Sequence, residues 1–300
     1  MQHPPFLQEG DFIGIVATGR AVDAAQLNRA ISFFINCGWR VKTGFTIGRK
    51  HFQLGGTEEE RLQDINLMIR DPEVRAIFIA RGGFGHLEIV DHIDWQSFQK
   101  DPKWICGFSD VTVLHNHILQ NLGFQTLHCS LPYQWEDQSN DPLNCSSIYH
   151  RLKKEEDSTM ANSLSIGKKG SGEGVLIGGN LSILHCLMGS HSEPDFAGKI
   201  LLIEEVDEYL YHVDRMLQTL KRAGKLKQLS GMLVGQFKDM NDHQEPFGAN
   251  YREIILKHSQ SYDFPILFDL PIGHGSKNYG IKLGKKVTIN TAEDQPLLNF

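Results

Sequence analysis

The chain has 300 residues, of which 40% are hydrophobic and 22% are charged. These values are ordinary for a globular protein and allow one large domain or two of average size. The net charge of −6 at pH 7 provides no basic excess to neutralise phosphates, so we do not expect nucleic acid as a partner.

The N-terminal residues 1–6 lack the basic segment and the apolar run of a signal peptide. No stretch of the sequence reaches the roughly 18 apolar residues that a membrane span requires. The five cysteines include no CxxC pair, which favours reduced thiols over disulfides or a structural zinc site. We therefore expect a cytoplasmic protein that has no membrane segment and needs neither a metal nor another cofactor.

The first half of the chain alternates short apolar runs with amphipathic stretches. The runs predict strands at 12–17, 40–43, 76–80 and 104–108. Helices are predicted at 23–36, after Thr57, and at 111–122. This alternation predicts an open parallel sheet with helices on both faces, in which ligands gather at the carboxyl ends of the strands.

The helix after Thr57 has a well-marked start. Glu60 follows Thr57 by three residues, which is the capping-box pattern with Thr57 as the N-cap. Leu62, Ile65, Met68 and Ile69 then recur at helical spacing. We expect these four side chains to face inward.

Residues 134–172 change the character of the chain, because they are polar, highly charged or small for most of their length. Such a segment predicts an interdomain connection with room for one short helix. We therefore divide the chain into an N-terminal domain at 1–135, a linker at 136–172 and a C-terminal domain at 173–300.

The second half predicts another α/β domain, with a mixed and β-rich sheet. Its amphipathic helix is expected at 213–223. Its strands are expected at 174–177, 199–203, 231–235 and 286–289, and the last of them alternates polar and apolar residues.

Ser109 stands between a predicted strand and a predicted helix, in Gly107-Phe108-Ser109-Asp110-Val111. This layout is typical of a nucleophile elbow, in which a tight turn exposes a hydroxyl and nearby backbone N–H groups stabilise an oxyanion. Val111 occupies a position where the GxSxG pattern has glycine. A simple helix cap at Ser109 or Asp110 is the more common role at such a position, so the local sequence leaves both interpretations open.

The glycine-rich turn Arg81-Gly82-Gly83-Phe84-Gly85 follows the predicted strand 76–80. Glycines let a backbone approach a ligand closely, and successive N–H groups can form an anion site. A tight turn without a ligand would have the same sequence. The spacing of a dinucleotide-binding or phosphate-binding loop is absent, so nucleotide binding is disfavoured.

Two further candidates lie in the second half. An acidic cluster at Glu204, Glu205, Asp207 and Glu208 follows the predicted strand 199–203, where a carboxylate can orient a histidine or form an exposed charged turn. His274 stands between two glycines, on a turn with room around it. The chain has 14 histidines, for most of which a structural role is the default.

Taken in order, these segments resemble the LD-carboxypeptidase family of serine peptidases. The resemblance extends over roughly residues 10–290. It rests on Arg81–Gly85, Gly107–Asp110 with Thr112 and His115, Gly178–Ser182, Leu202–Glu205, Asp214–Leu217 and Pro271–Gly275.

The resemblance implies a catalytic triad of Ser109, His274 and Glu204. It also implies an oxyanion hole, for which position selects the backbone N–H groups of Gly83 and Asp110. The serine would come from the first domain and its two partners from the second, so the site would lie in the interdomain cleft of a homodimeric protein.

For such a carboxypeptidase, Arg81 and Gly82 are our candidates for binding the carboxylate of the leaving amino acid. The substrate implied is a muropeptide, the murein tetrapeptide, with release of terminal D-alanine in cell-wall recycling. An amidase that acts on a peptidyl-nucleotide antibiotic, as in the microcin C immunity branch, stays open, with Trp135 as a possible stacking surface. A non-catalytic protein that binds a small anionic ligand also stays open.

Three positions depart from the family pattern. Ala17-Thr18-Gly19 stands where Ala-Pro-Ser is common, and His128-Cys129-Ser130 stands where His-Gly-Pro is common. Phe84 replaces a frequent tyrosine. None of these positions belongs to the triad, and we expect the first two to line the substrate pocket.

Overall fold

The computed structural model describes residues 1–137, 141–154, 159–160, 164–291 and 296–299. Its strands form two sheets. In chain order the strands are β1 (Phe12–Val16), β2 (Arg40–Thr43), β3 (Val74–Ile79), β4 (Trp104–Gly107), β5 (Thr126–His128), β6 (Thr159–Met160), β7 (Ser165–Lys168), β8 (Ser171–Asn180), β9 (Lys199–Val206), β10 (Gly231–Lys238), β11 (Ile266–Phe268), β12 (Ile281–Leu283), β13 (Lys286–Asn290) and β14 (Leu297–Asn299).

The first sheet has the strand order β12-β5-β4-β3-β1-β2. Its five N-terminal strands pair in parallel, which confirms the sheet predicted from the first half. The sixth strand, β12, comes from the second half and pairs antiparallel with β5. This contact between the two halves has no counterpart in the sequence predictions, because a strand of only three residues, Ile281–Leu283, leaves no local signal of its pairing.

Both faces of the first sheet are covered. Successive residues of a strand point to opposite faces, so β3 shows which elements lie on each side. Ile77 and Ile79 pack in one cluster with Ile65 of the helix after Thr57. Phe78 packs in another cluster with Phe34 of the first helix. The expected arrangement of helices on both faces is therefore confirmed.

The second sheet has the order β6-β14-β13-β8-β9-β10-β11-β7. The strands from β8 to β11 pair in parallel, and the outer strands pair antiparallel. The predicted mixed sheet is confirmed. Strand β9 lies in the parallel part and runs through Val206. It therefore continues past residue 203, where the sequence pattern ended it.

No α-helix in the described ranges is both long and apolar enough to cross a membrane. The α-helices are α1 (Asn28–Asn36), α2 (Glu58–Arg70), α3 (His86–Ile89), α4 (Trp95–Lys100), α5 (Thr112–Leu122), α6 (Leu143–Lys153), α7 (Leu181–Leu187), α8 (Leu210–Arg222) and α9 (Tyr251–Ser259). Short 3₁₀-helices lie at Ala24–Leu27, Val90–His92, Ser109–Val111, Pro132–Glu136 and Leu226–Gln228.

The described part of the predicted linker at 136–172 contains one α-helix, α6, and its residues 165–168 form an edge strand of the second sheet. Parts of it, at 138–140, 155–158 and 161–163, lie outside the described residues, as do 292–295 and 300. The division at 1–135, 136–172 and 173–300 stays a prediction.

Helix α2 begins with the capping box that the sequence predicts. Thr57 Oγ1 accepts a hydrogen bond from Glu60 N at 3.3 Å, and Glu60 Oε2 accepts one from Thr57 N at 2.9 Å. We expect Thr57→Ala to lower the free energy of unfolding by about 1 kcal/mol, because one N–H of the first turn loses its acceptor. Urea denaturation measures this. Thr57→Ser, which keeps the hydroxyl, is the control, and an equal loss in both variants would contradict the prediction.

Candidate active site

Ser109 lies in the turn that leaves β4 and begins the 3₁₀-helix before α5. Its φ of 64° is in the left-handed region, which is uncommon for a residue with a side chain. Gly82 passes close by: a Cβ atom there would lie 3.1 Å from Ser109 Cβ and 3.3 Å from Ser109 Oγ. This is the strained strand-to-helix turn expected of an exposed nucleophile, with glycine providing the space beside it.

The structure brings the three predicted residues together. His274 Nε2 lies 3.2 Å from Ser109 Oγ, and His274 Nδ1 lies 2.7 Å from Glu204 Oε2. The hydroxyl can therefore donate to the imidazole, while the other ring nitrogen donates to the carboxylate. Glu204 is fully buried, and none of the described residues donates a hydrogen bond to its second oxygen, Oε1.

No hydrogen bond supports the alternative that Ser109 or Asp110 caps the helix that follows the turn. Neither the 3₁₀-helix at Ser109–Val111 nor α5 is capped by a side chain at its N-terminus. The Ser109 side chain is instead within hydrogen-bond distance of His274, and that of Asp110 is bound elsewhere, as described below.

The two glycines beside His274 hold the histidine turn against the carboxylate. Gly273 has a φ of 121°, and a Cβ atom there would lie 2.9 Å from Glu204 Oε2. Its N–H donates to Asn278 Oδ1 at 3.1 Å. On the other side, Gly275 N donates to Gln236 Oε1. A larger residue at Gly273 would clash with Glu204, and one at Gly275 would clash with the Gln236 side chain.

The environment of His274 favours its protonated form. Burial is the largest single effect and lowers the pKa of His274, but the charge of Glu204 and the hydrogen bond with it act in the opposite direction. Together with the more distant charge of Glu205, they raise the pKa above its ordinary value. A histidine whose cation is stabilised in this way is a better acceptor for a hydroxyl proton.

Glu205 faces away from Glu204, because neighbouring residues of a strand alternate in direction. Its carboxylate accepts hydrogen bonds from Asn180 Nδ2 at 2.9 Å, from Ser182 N at 2.8 Å and from Ser182 Oγ at 2.7 Å. Burial and the charge of Glu204 nevertheless raise the pKa of Glu205 above its ordinary value. The segment Gly178–Ser182 thus holds the neighbour of the triad carboxylate.

Direct hydrogen bonds join the two halves behind the triad. Asn180 N donates to Thr112 Oγ1 at 3.1 Å, and Asn116 Nδ2 donates to Gly178 O at 3.1 Å. A Cβ atom at Gly179 would lie 2.5 Å from Thr112 Oγ1. Helix α5, which follows the nucleophile, is therefore fixed on β8, the neighbour of the strand that carries Glu204.

Asp110 takes part in a second buried chain of hydrogen bonds. Its Oδ2 accepts from His86 Nδ1 at 2.6 Å and from His86 N at 3.1 Å. His86 Nε2 lies 2.9 Å from Thr18 Oγ1, and all three side chains are buried. This chain ties the turn of Gly83 to the turn of Ser109. Sequence reasoning missed His86, because a histidine one residue after a glycine run has no distinctive pattern.

Two of the family departures lie elsewhere than expected. Thr18 and His128 are buried and do not line the cleft, so the expectation that both segments line the substrate pocket is wrong for these residues. His128 stacks on Phe108, and the adjacent His115 Nε2 donates to Gly107 O at 2.9 Å. Burial lowers the pKa of His115 to about 4, which keeps its ring neutral behind the nucleophile turn.

A cleft of about 440 Å³ opens over the triad. Arg81 lines it, with Arg81 Nη1 donating to Ala21 O at 3.1 Å and the guanidinium 5.1 Å from the centre of the Tyr133 ring. Asp110 and Glu204 are buried behind the cleft. The lining includes Arg20, Arg81, Gly82, Gly83, Phe84, Phe108, Ser109, Leu131, Tyr133, Val206, Asp207 and His274.

Comparison with family models gives two matches along the chain. Residues 13–129 match the LD-carboxypeptidase N-terminal domain, and residues 173–289 match the LD-carboxypeptidase C-terminal domain. The chain is 37% identical to a probable murein peptide carboxypeptidase of Bacillus subtilis, over 97% of this chain and 92% of the relative. It is 26% identical to a murein tetrapeptide carboxypeptidase of Pseudomonas aeruginosa, over 92% of each chain.

Solved structures share the fold. The structure of MccF in complex with glutamyl sulfamoyl guanosine superposes with a TM-score of 0.89 at 20% identity, covering 99% of this chain and 98% of the other. A muramoyltetrapeptide carboxypeptidase from Oxalobacter formigenes superposes with a TM-score of 0.86 at 23% identity, covering 96% and 98%. At these identities the likeness establishes the two-domain architecture.

The dependence of His274 on Glu204 can be measured directly. We expect Glu204→Gln to lower the pKa of His274, because the amide keeps the shape of the side chain but removes the charge that opposes burial. An NMR titration of the His274 ring, assigned with a His274→Gln variant, measures this shift. Glu173→Gln, the same change at an exposed residue of the neighbouring strand β8, is the control. An unchanged pKa in Glu204→Gln would contradict the prediction.

The chain Thr18–His86–Asp110 should contribute strongly to stability. We expect His86→Ala to lower the free energy of unfolding by about 3–5 kcal/mol, because it leaves the Asp110 carboxylate buried without its side-chain partner. Thr18→Val removes only the outer hydrogen bond and should cost about 1 kcal/mol. Urea denaturation of both variants tests this ranking. Equal stability of His86→Ala and the parent protein would show that the pair is unimportant.

Proposed function

The chain belongs to the LD-carboxypeptidase family of peptidases, and we propose that it is a serine carboxypeptidase that releases terminal D-alanine from murein tetrapeptide. The observation that carries the proposal is the contact of His274 with Ser109 at 3.2 Å and with the buried Glu204 at 2.7 Å, where Ser109 and His274 line one open cleft. The names of two relatives, a murein peptide and a murein tetrapeptide carboxypeptidase, support the substrate class.

Each triad member has one role in the proposed reaction. His274 Nε2 takes the proton of Ser109 as the hydroxyl oxygen attacks the scissile carbonyl carbon. Glu204 accepts from Nδ1, which keeps the ring in the required tautomer and stabilises its cation. The cation then gives its proton to the leaving amine, and the carbon–nitrogen bond breaks. Water hydrolyses the resulting ester with His274 again as the base.

The negative oxygen of the intermediate is assigned to the backbone N–H groups of Gly83 and Asp110. Each donor aimed at such an oxygen lowers the activation free energy by about 3–4 kcal/mol. The hydrogen bonds of Asp110 with His86 support this assignment, because they hold the turn of the second donor against the turn of the first. The fixed backbone then needs little rearrangement during the reaction.

Recognition of the leaving amino acid is assigned to Arg81 and Gly82. A carboxypeptidase must bind the free carboxylate of the residue that it removes, and a guanidinium can bind a carboxylate through two parallel hydrogen bonds. Arg81 is held by Ala21 O and by the face of Tyr133, so its guanidinium is positioned before substrate arrives. The proposed enzyme is a homodimer, acts in the cytoplasm and needs no cofactor.

The peptidyl-nucleotide alternative loses the stacking surface considered for it. Trp135 is 6% exposed and packs among Phe33, Phe34 and Phe78. Its indole N–H donates to Ser130 Oγ at 2.9 Å. The side chain is therefore part of the core and does not offer a face to a nucleobase. The murein substrate remains the better-supported assignment.

Replacement of the nucleophile is the direct test. We expect Ser109→Ala to reduce D-alanine release from murein tetrapeptide on the order of 10⁶-fold, because no attacking hydroxyl remains. Mass spectrometry of the products measures this, and thermal unfolding checks that the variant is folded. Ser146→Ala, the same change on the surface of α6, should retain activity. Full activity in Ser109→Ala would remove this serine from the mechanism.

Two further reagents separate the alternatives. Aspartyl sulfamoyl adenosine, offered in the same assay, tests the nucleotide-conjugate substrate, and preferential hydrolysis of it would overturn the murein assignment. A serine-directed phosphonate that labels the parent protein but not Ser109→Ala or His274→Gln supports catalysis. Binding of small anions with neither labelling nor hydrolysis would favour a non-catalytic binding protein.

A further inference from the structure

A second cavity of about 400 Å³ adjoins the cleft over the triad. The two share Arg20 and Arg81, which stand at the boundary between them. Beyond this boundary the lining continues to Arg49, Lys50 and Gln53. We refer to the cavity lined by Arg20, Arg49, Lys50 and Arg81 as the cationic groove.

The charge of the cationic groove contrasts with that of the protein. The chain carries a net charge of −6, yet the groove lining contains four cationic side chains and one carboxylate, Asp23. Positive charges that line one concave surface raise the local positive potential and attract anions. A long-range attraction of this kind would act on a substrate that carries negative charge.

Three of the four cations form no ion pair with the part of the chain that the structure describes. Arg20 Nη2 donates to the neutral amide oxygen of Gln53 at 2.8 Å, and Arg81 donates to a backbone carbonyl. Lys50 forms no ion pair with any residue that the structure describes. Arg49 does pair with a carboxylate, that of Glu60, which lies outside the groove lining. Among the described residues, Arg20, Lys50 and Arg81 therefore have no ion-pair partner, and the one carboxylate of the lining, Asp23, leaves a surplus of positive charge in the groove.

Arg20 links the groove to the reacting centre. Its aliphatic stem lies against Gly83, where a Cβ atom would come within 2.6 Å of Arg20 Cγ. Its backbone N–H donates to Gly82 O at 2.9 Å. The guanidinium is thus anchored next to the turn that we assign to the oxyanion, and a ligand in the groove lies within reach of a peptide bound over Ser109.

We propose that the cationic groove binds a second carboxylate of the peptide substrate, in addition to the one that leaves with the terminal amino acid. The inference rests on the proposed function and narrows its substrate class to peptides with an acidic group away from the scissile bond. Arg20 and Lys50 would bind this carboxylate, and Arg81 would stay with the leaving group. Charge-assisted hydrogen bonds of this kind are stronger than neutral ones, so they discriminate an acid from its amide.

The test compares two peptides that differ only in a carboxylate or a carboxamide on one residue before the scissile bond. In the parent protein we expect kcat/KM to be about 5- to 20-fold higher for the acid. In Lys50→Gln and in Arg20→Gln this ratio should fall toward one. Lys100→Gln, at the exposed end of α4, removes one positive charge far from the groove and should keep the parental ratio.

Raising the salt concentration should also lower the ratio of the kcat/KM value for the acid to that for the amide, because ions screen an exposed charge pair. Equal kcat/KM values for the two peptides in the parent protein would overturn the inference while leaving the proposed function intact. An unchanged ratio in both Lys50→Gln and Arg20→Gln would overturn it as well.

A binding measurement separates failure of this inference from failure of the proposed function. Calorimetric titration of Ser109→Ala with each peptide requires no turnover. We expect tighter binding of the acid, and loss of the difference when Lys50→Gln is added to Ser109→Ala. Equal binding of the two peptides would reject the groove as a carboxylate site, whether or not the parent protein hydrolyses either of them.

Discussion

The hydrogen bond between Glu204 and His274 is the interaction on which the rest of the site depends. Glu204 is fully buried, and a buried carboxylate is costly unless a donor or a cation compensates it. His274 Nδ1 provides that donor at 2.7 Å, and the same contact raises the pKa of the histidine. The carboxylate and the ring therefore stabilise each other, and the ring in turn is placed where it can accept the proton of Ser109.

This pair requires a close approach of backbone segments, which the glycines allow. Gly273 leaves space for the Glu204 carboxylate, and Gly82 leaves space for Ser109. Gly179 lets β8 meet Thr112 of α5, so that the two sheets are joined directly behind the site. Small residues thus determine the distances among the three catalytic candidates, although none of these glycines contributes a side chain to the chemistry.

Two buried carboxylates next to the candidate residues have supporting roles. Asp110 is bound by His86, which connects the glycine turn with the nucleophile turn. Glu205 is bound by Asn180 and Ser182, which connect β9 with the start of α7. Ser109 and Glu204 therefore each have a hydrogen-bonded neighbour in sequence that fixes the backbone, while the positive charges of Arg20 and Arg81 line the open cleft.

The sequence alone determined the local structure. The capping box at Thr57 and the buried strands depend on spacings within a few residues, which a sequence displays directly, and the parallel pairing in the first sheet follows from the alternation of strands and helices along the first half. The strand that carries Glu204 was placed correctly at its start, but it continues through Val206 because its charged residues are bound by groups that come from other parts of the chain.

Only the tertiary structure decided which polar residues meet. Ser109 and His274 are separated by 165 residues and His274 and Glu204 by 70, so no local pattern shows that these three residues meet. The family resemblance selected them, but only the folded chain shows the direction of each side chain. Because neighbours on a strand face opposite sides, Glu204 meets His274 while Glu205 meets Asn180.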